Sequence, residues 1–67
     1  MNANMLLNKL IEKQTLKNDA ALSRWLGIAP PVVSKMRHGK LSIGDSLIIR
    51  ICDKLDMKPS EVRELAA

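Results

Sequence analysis

Apolar side chains recur along this chain at helical rather than strand spacing. Leu6, Leu7, Leu10 and Ile11 make one stripe and Asn8, Lys9, Glu12 and Lys13 fill the positions between, so an amphipathic helix is predicted over about 4–13. The period lapses over 14–17, where β-branched Thr15 marks a loop from which Leu16 turns inward. Asn18 then offers a side-chain acceptor to the open amides of a second helix, AALSRWL, and Gly27 ends that helix by taking a positive φ. Pro30 and Pro31 mark the first turn of a third helix, where a missing N–H costs little. Val33 and Met36 are its inward positions, and His38 and Gly39 close it. Beyond the link at 41–44, Ile48, Ile51, Cys52 and Leu55 stand at i, i+3, i+4 and i+7 on a fourth helix over about 44–55. Ser42 and Asp45 are spaced as a capping pair at its start. Asp56 and Met57 lead out of it. Pro59 opens a last short helix at its first position, with Val62 and Leu65 facing inward.

The second and third helices, within NDAALSRWLGIAPPVVSKMRHGK at 18–40, are short, joined by a tight glycine turn and set among basic residues. A DNA-reading helix-turn-helix is built in this way. Leu22, Ser23, Leu26, Gly27, Ile28, Val33, Ser34, Met36, Gly39 and Lys40 fall without a gap on a loose pattern: a polar cap, a Leu-Ala-x-x-Leu-Gly helix end, a short turn and a second helix ending in Gly-Lys. In this the chain resembles the Cro and phage-repressor (lambda-repressor-like) family, over about residues 5–65. The resemblance implies an all-α, five-helix lambda-repressor-like DNA-binding domain. Residues 1–67 form a single domain on this reading, with the helix-turn-helix pair at about 18–38.

Size and composition narrow the field. A chain of 67 residues hides only about 60 % of the surface its unfolded form exposes, which leaves no room for a catalytic cleft with walls of its own. The chain has one Trp and neither Phe nor Tyr, so its core is built from aliphatic side chains and Met, which suit helix packing. Eleven Lys and Arg against seven Asp and Glu, a net charge of +4, favour a polyanionic partner. Cys52 is solitary and His38 is the lone histidine, so neither an internal disulfide nor a Cys and His zinc site is expected. Cys52 instead reads as a small core residue. No apolar run approaches the ~18 to 20 residues that span a bilayer, and the N-terminus lacks a basic start followed by a long apolar stretch. A cytoplasmic protein without cofactor, metal, membrane or small-molecule ligand is expected. No paired carboxylates, activated nucleophile or phosphate loop can be assembled, so it does not read as an enzyme.

A helix lying in the major groove reaches base edges from the outward face of its first two turns. With Val33 and Met36 turned to the core, Pro30, Pro31, Val32, Ser34 and Lys35 are expected to face outward, and they match the positions that carry base contacts in the resembling family. Many relatives place Gln, Arg or Ser at the head of this helix. Two prolines in their place offer rings rather than hydrogen bonds: they are either a rigid helix start or an apolar reader of bases. Donors to phosphate stand on both sides, with Lys17, Asn18 and the first-turn amides near Asp19 before, and Arg37, His38, Lys40 and Ser42 after.

Two residues depart from the family pattern. Asp19 stands where the family often has a Gln touching phosphate, and it is expected to serve the helix dipole and face aside. Arg37 stands where the family commonly has a Glu paired to an Arg on the first helix. Counting without a gap brings Glu12 to that Arg position, which makes a pair of reversed charge; if Ile11 takes the place, Arg37 is free for phosphate. Trp25 lies on the outer flank of the second helix, either bridging to the first or fourth helix or serving a partner interface.

The expected function is sequence-specific binding of a double-stranded operator by a small transcriptional regulator of Cro or repressor type, with the helix at about 30–38 in the major groove and a homodimer on DNA. The alternative is a protein-interaction module, an antitoxin or adaptor using the same fold, whose outward helix face should be apolar or acidic.

Overall fold

A computed structural model describes residues 3–66 as five helices: α1 (Ala3–Lys13), α2 (Asp19–Leu26), α3 (Pro30–Arg37), α4 (Asp45–Leu55) and α5 (Pro59–Glu64). The helix ends explain why the periodic segments stop where they do. Asn18 Oδ1 accepts from the Ala21 N–H at 2.9 Å, satisfying one of the amides that the start of α2 leaves open. At the other end Gly27 takes φ 72°, so its N–H reaches the Arg24 carbonyl and the Ile28 N–H reaches that of Ser23. The same left-handed closure ends α3 at Gly39, with Lys40 N–H on the Lys35 carbonyl at 2.9 Å. Asp56 closes α4 and Thr15 closes the turn after α1, both at positive φ without being glycine.

One expectation about helix ends needs correction. Ser42 and Asp45 do not cap α4: the N-cap is Gly44, in extended conformation and with no side chain to accept from the first turn. Asp45 is therefore already the first helical residue, two positions short of the third-residue place from which a box partner reaches back to its cap. At α5 the Glu61 carboxylate accepts from the Lys58 N–H at 3.1 Å, half of a capping box that the sequence reading passed over. Val62 is fully buried and Leu65, at the end of the helix, packs half-covered against the core, both facing inward as expected, with Ala66 buried beside them.

The core is one aliphatic cluster. Leu6, Leu7 and Leu10 of α1, Leu22 and Leu26 of α2, Val33 and Met36 of α3, and Ile48, Ile51 and Cys52 of α4 meet at its centre. Leu16 packs against them from the loop, as its position predicted. Ser23 is the buried polar residue of this set, and its hydroxyl donates to the Ala20 carbonyl at 2.7 Å. Helix α1 packs on α2 and α3, α2 packs on α3 and α4, and α4 packs on α5. This order braces α3 from the inside and leaves its opposite face to solvent. Among the described residues no helix is long and apolar enough to cross a membrane.

Candidate nucleic-acid interface

Helix α3 has eight residues, about 12 Å of axis at 1.5 Å per residue, and the major groove is about as wide. Val33 and Met36 are buried at 1 % and 2 % exposure, which fixes the helix's rotation. Pro30, Pro31, Ser34 and Lys35 are consequently exposed, as their spacing predicted. Val32 departs from that expectation. It stands four residues before Met36 and so shares its side of the helix, half-buried in a depression of about 190 Å³ lined also by Ile28, Leu41 and Leu47.

The head of α3 is chemically unusual. Pro30 and Pro31 carry no N–H, and the Val32 N–H is taken by the Ala29 carbonyl at 2.9 Å. Residues 30–32 therefore present no free amide, and a phosphate seeking a helix N-terminus is better served at α2. There Asn18 uses its side-chain oxygen for the cap, leaving its Nδ2 as a donor. Lys17, Lys40 and Ser42 are all exposed. His38 is exposed as well, with Nδ1 2.8 Å from the Ser34 carbonyl. Since a carbonyl only accepts, Nδ1 carries the hydrogen of that contact, and neutral His38 keeps only an acceptor at Nε2. To donate to a phosphate it would need a hydrogen on Nε2 as well.

Arg37 is the largest correction. Its guanidinium does not pair with Glu12. Nε and Nη2 donate to the Asp19 carboxylate at 3.1 and 2.8 Å, and Nη1 donates to Oδ1 of Asn8 at 2.7 Å and of Asn4 at 3.2 Å. Asn4 returns a bond from Nδ2 to the Arg37 carbonyl at 3.0 Å. The reason lies in helix geometry: Asn4 and Asn8 occupy one face of α1 and meet the end of α3, whereas Glu12 stands a turn further along and is exposed. Asp19, expected to face aside, faces Arg37 across the start of α2. A bidentate guanidinium–carboxylate pair of this kind fixes direction as well as distance.

Arg50 was not foreseen at all. From α4 it reaches back to the helix-turn-helix turn, donating through Nη1 to the Leu26 carbonyl at 2.8 Å and the Gly27 carbonyl at 3.3 Å. The signal was present in principle, because the end of α2 leaves carbonyls that favour a cation, but nothing local says which distant cation comes. Trp25 is half-buried and bridges to α4, where Lys54 Nζ lies 5.3 Å from its ring centroid.

Charge is unevenly spread over these elements. Residues 13–40 contain six of the eleven Lys and Arg, and Asp19 is the one Asp or Glu among them. Every other carboxylate but Glu12 lies in 45–64, on α4, α5 and the turn between.

A family model described as the Cro/C1-type HTH DNA-binding domain matches residues 5–67. Comparison with curated proteins and with solved structures returned no significant match.

Proposed function

The chain belongs to the Cro/C1-type helix-turn-helix DNA-binding family, and from that premise we propose that it represses transcription by occupying a specific double-stranded operator, with α3 in the major groove. The observation that carries the reading is the division of α3 into two faces. Val33 and Met36 anchor one, while Pro30, Pro31, Ser34 and Lys35 stand free on the other in a segment with a single carboxylate. Lys35 donates to guanine O6 and N7, Ser34 bonds either way, and the proline rings, with the exposed part of Val32, pack on thymine methyls. Lys17, Asn18, His38, Lys40 and Ser42 hold phosphates on either side. A protein-binding module would present an apolar or acidic outward face, and this one carries Lys35 and no acid.

Selection from a random duplex pool followed by titration at two salt concentrations tests the proposal. One preferred sequence should emerge and bind more tightly than a scrambled duplex. Lys35→Ala should lose about 1 to 3 kcal/mol, roughly fivefold to 150-fold, on that sequence and much less on the scrambled one. Lys40→Ala should weaken both alike and flatten the salt dependence by about one counterion. Equal losses for Lys35→Ala on both duplexes would demote it to a backbone contact. A chain that binds no duplex moves the function to the protein-interaction class.

A further inference from the structure

We infer that Arg37 and Asp19 meet DNA as one neutral unit, so that Arg37 is a positioning residue for α3 and silences the one acid in the DNA-facing segment instead of holding a phosphate. The inference rests on the DNA-binding reading above. Its ground is the way the guanidinium is used. Of its five N–H donors, Nε and one of Nη2 go to Asp19, and both of Nη1 go to Asn4 and Asn8. The side chain of Arg37 is 19 % exposed and that of Asp19 47 %, so the cation is the more enclosed partner.

Two consequences follow from where the pair sits. Arg37 is the last residue of α3, and its bonds reach α1 and α2 at once, with Asn4 holding its backbone carbonyl in return. The angle of the reading face is thus tied to both neighbouring helices. Asp19 is the first residue of α2, beside the amides that suit a phosphate, and an uncompensated carboxylate there would repel the DNA backbone. Arg37 cancels that charge without itself being free to leave.

The test uses four full-length proteins: the parent, Asp19→Asn, Arg37→Gln and the double variant, each titrated on the selected operator and on random duplex between 50 and 200 mM salt. Asp19→Asn unbalances the pair by one positive charge. It should tighten binding to random duplex and enlarge the affinity lost across that salt range by about 3.5-fold, the share of one counterion. The operator should gain less, because a loosened Arg37 positions α3 less well. Arg37→Gln should weaken both duplexes and flatten the salt dependence by a similar factor, and the double variant should return to the parent's salt dependence.

A double variant that stays as flat as Arg37→Gln would make Arg37 a direct phosphate ligand and overturn the inference. An Asp19→Asn protein with unchanged affinity and salt dependence on random duplex would reduce the pair to packing, since packing alone does not count counterions. Circular dichroism checks folding, and if Arg37→Gln unfolds, Asp19→Asn decides by itself. A parent that binds no duplex overturns the DNA reading and this inference together; a parent that binds while its variants break the pattern overturns this inference alone.

Discussion

Thr15 holds a conformation its side chain opposes. At φ 51° it lies in the left-handed region, where a β-branched residue is an outlier, because the N–H of Leu16 must reach the Ile11 carbonyl to close the turn after α1. The cost for an L-residue is about 1 to 2 kcal/mol, and glycine in its place gives back part of that gain as unfolded-chain entropy, about 0.5 to 1 kcal/mol. Thr15→Gly should therefore stabilise the protein by about 1 kcal/mol, raising the melting temperature by roughly 4 to 8 °C in a domain of this size. Thermal unfolding followed by circular dichroism checks it, and a melting temperature at or below the parent's would show that the turn carries no strain. Gly27 is the opposite case. A Cβ there would have to tolerate φ 72° and would sit 3.3 Å from Arg50 Nη1, so this glycine is required by its own backbone, and a larger residue would also make the side chain that clamps the turn give by a few tenths of an ångström.

At the scale of the element, α3 begins with two rings where most helices begin with amides. Desolvating a hydrogen-bonding base edge under Pro30 and Pro31 leaves that edge unpaired, whereas a methyl group placed there is merely buried. The head of α3 should accordingly select thymine. Replacing the operator's thymines by uracil removes the 5-methyl and preserves every hydrogen-bonding group, so the expected loss is about 0.8 kcal/mol, near fourfold, for each methyl that the helix covers. An all-uracil operator bound as tightly as the thymine one would leave the prolines as a rigid start and nothing more. The same element shows how much of the site was legible in advance. The exposure of Pro30, Pro31, Ser34 and Lys35 followed from a 3.6-residue period anchored on Val33 and Met36. Val32 did not follow, because it lies at the edge of the buried stripe, where the neighbouring Leu41 and Leu47 decide how far it is covered.

At the scale of the molecule, the described residues measure 27 Å along the longest axis, less than the ~34 Å of one DNA turn. On the proposed reading one copy would engage one groove segment, and two copies related by a two-fold axis would supply the discrimination expected of an operator. Among the described residues the exposed large hydrophobics are scattered, which does not favour an obligate pair off DNA. Leu41 and Ile49 lie on different elements and are the most exposed large hydrophobics beside Met5, at 42 % and 57 %. Sedimentation at micromolar protein should thus find a monomer alone and two protomers per operator duplex. A dimer that persists at nanomolar concentration without DNA would sink this account. The uneven charge fits the same proposal, in which the basic 13–40 segment would turn to the duplex and the carboxylates of α4 and α5 would stay away from it.

Local physics is what the chain determines by itself. Five helices, the cap at Asn18, the stops at Gly27 and Gly39, the starts at Pro30 and Pro59 and the buried stripes all depend on groups within a few residues of one another, whose spacing is written in the sequence. The tertiary structure alone decided the bonds between distant groups. Arg37 reaches Asp19 18 residues away and Asn4 33 away, and Arg50 reaches Leu26 24 away. The side chains of Arg37, Asp19, Asn4 and Arg50 were visible in the sequence as polar, and the carbonyl of Leu26 as a helix-end acceptor, yet periodicity says only which face a residue is on. Which face meets which is set by the angles at which the helices pack. Those angles come from the fit of the whole aliphatic core, and a guanidinium then takes whatever acceptors that fit brings within reach.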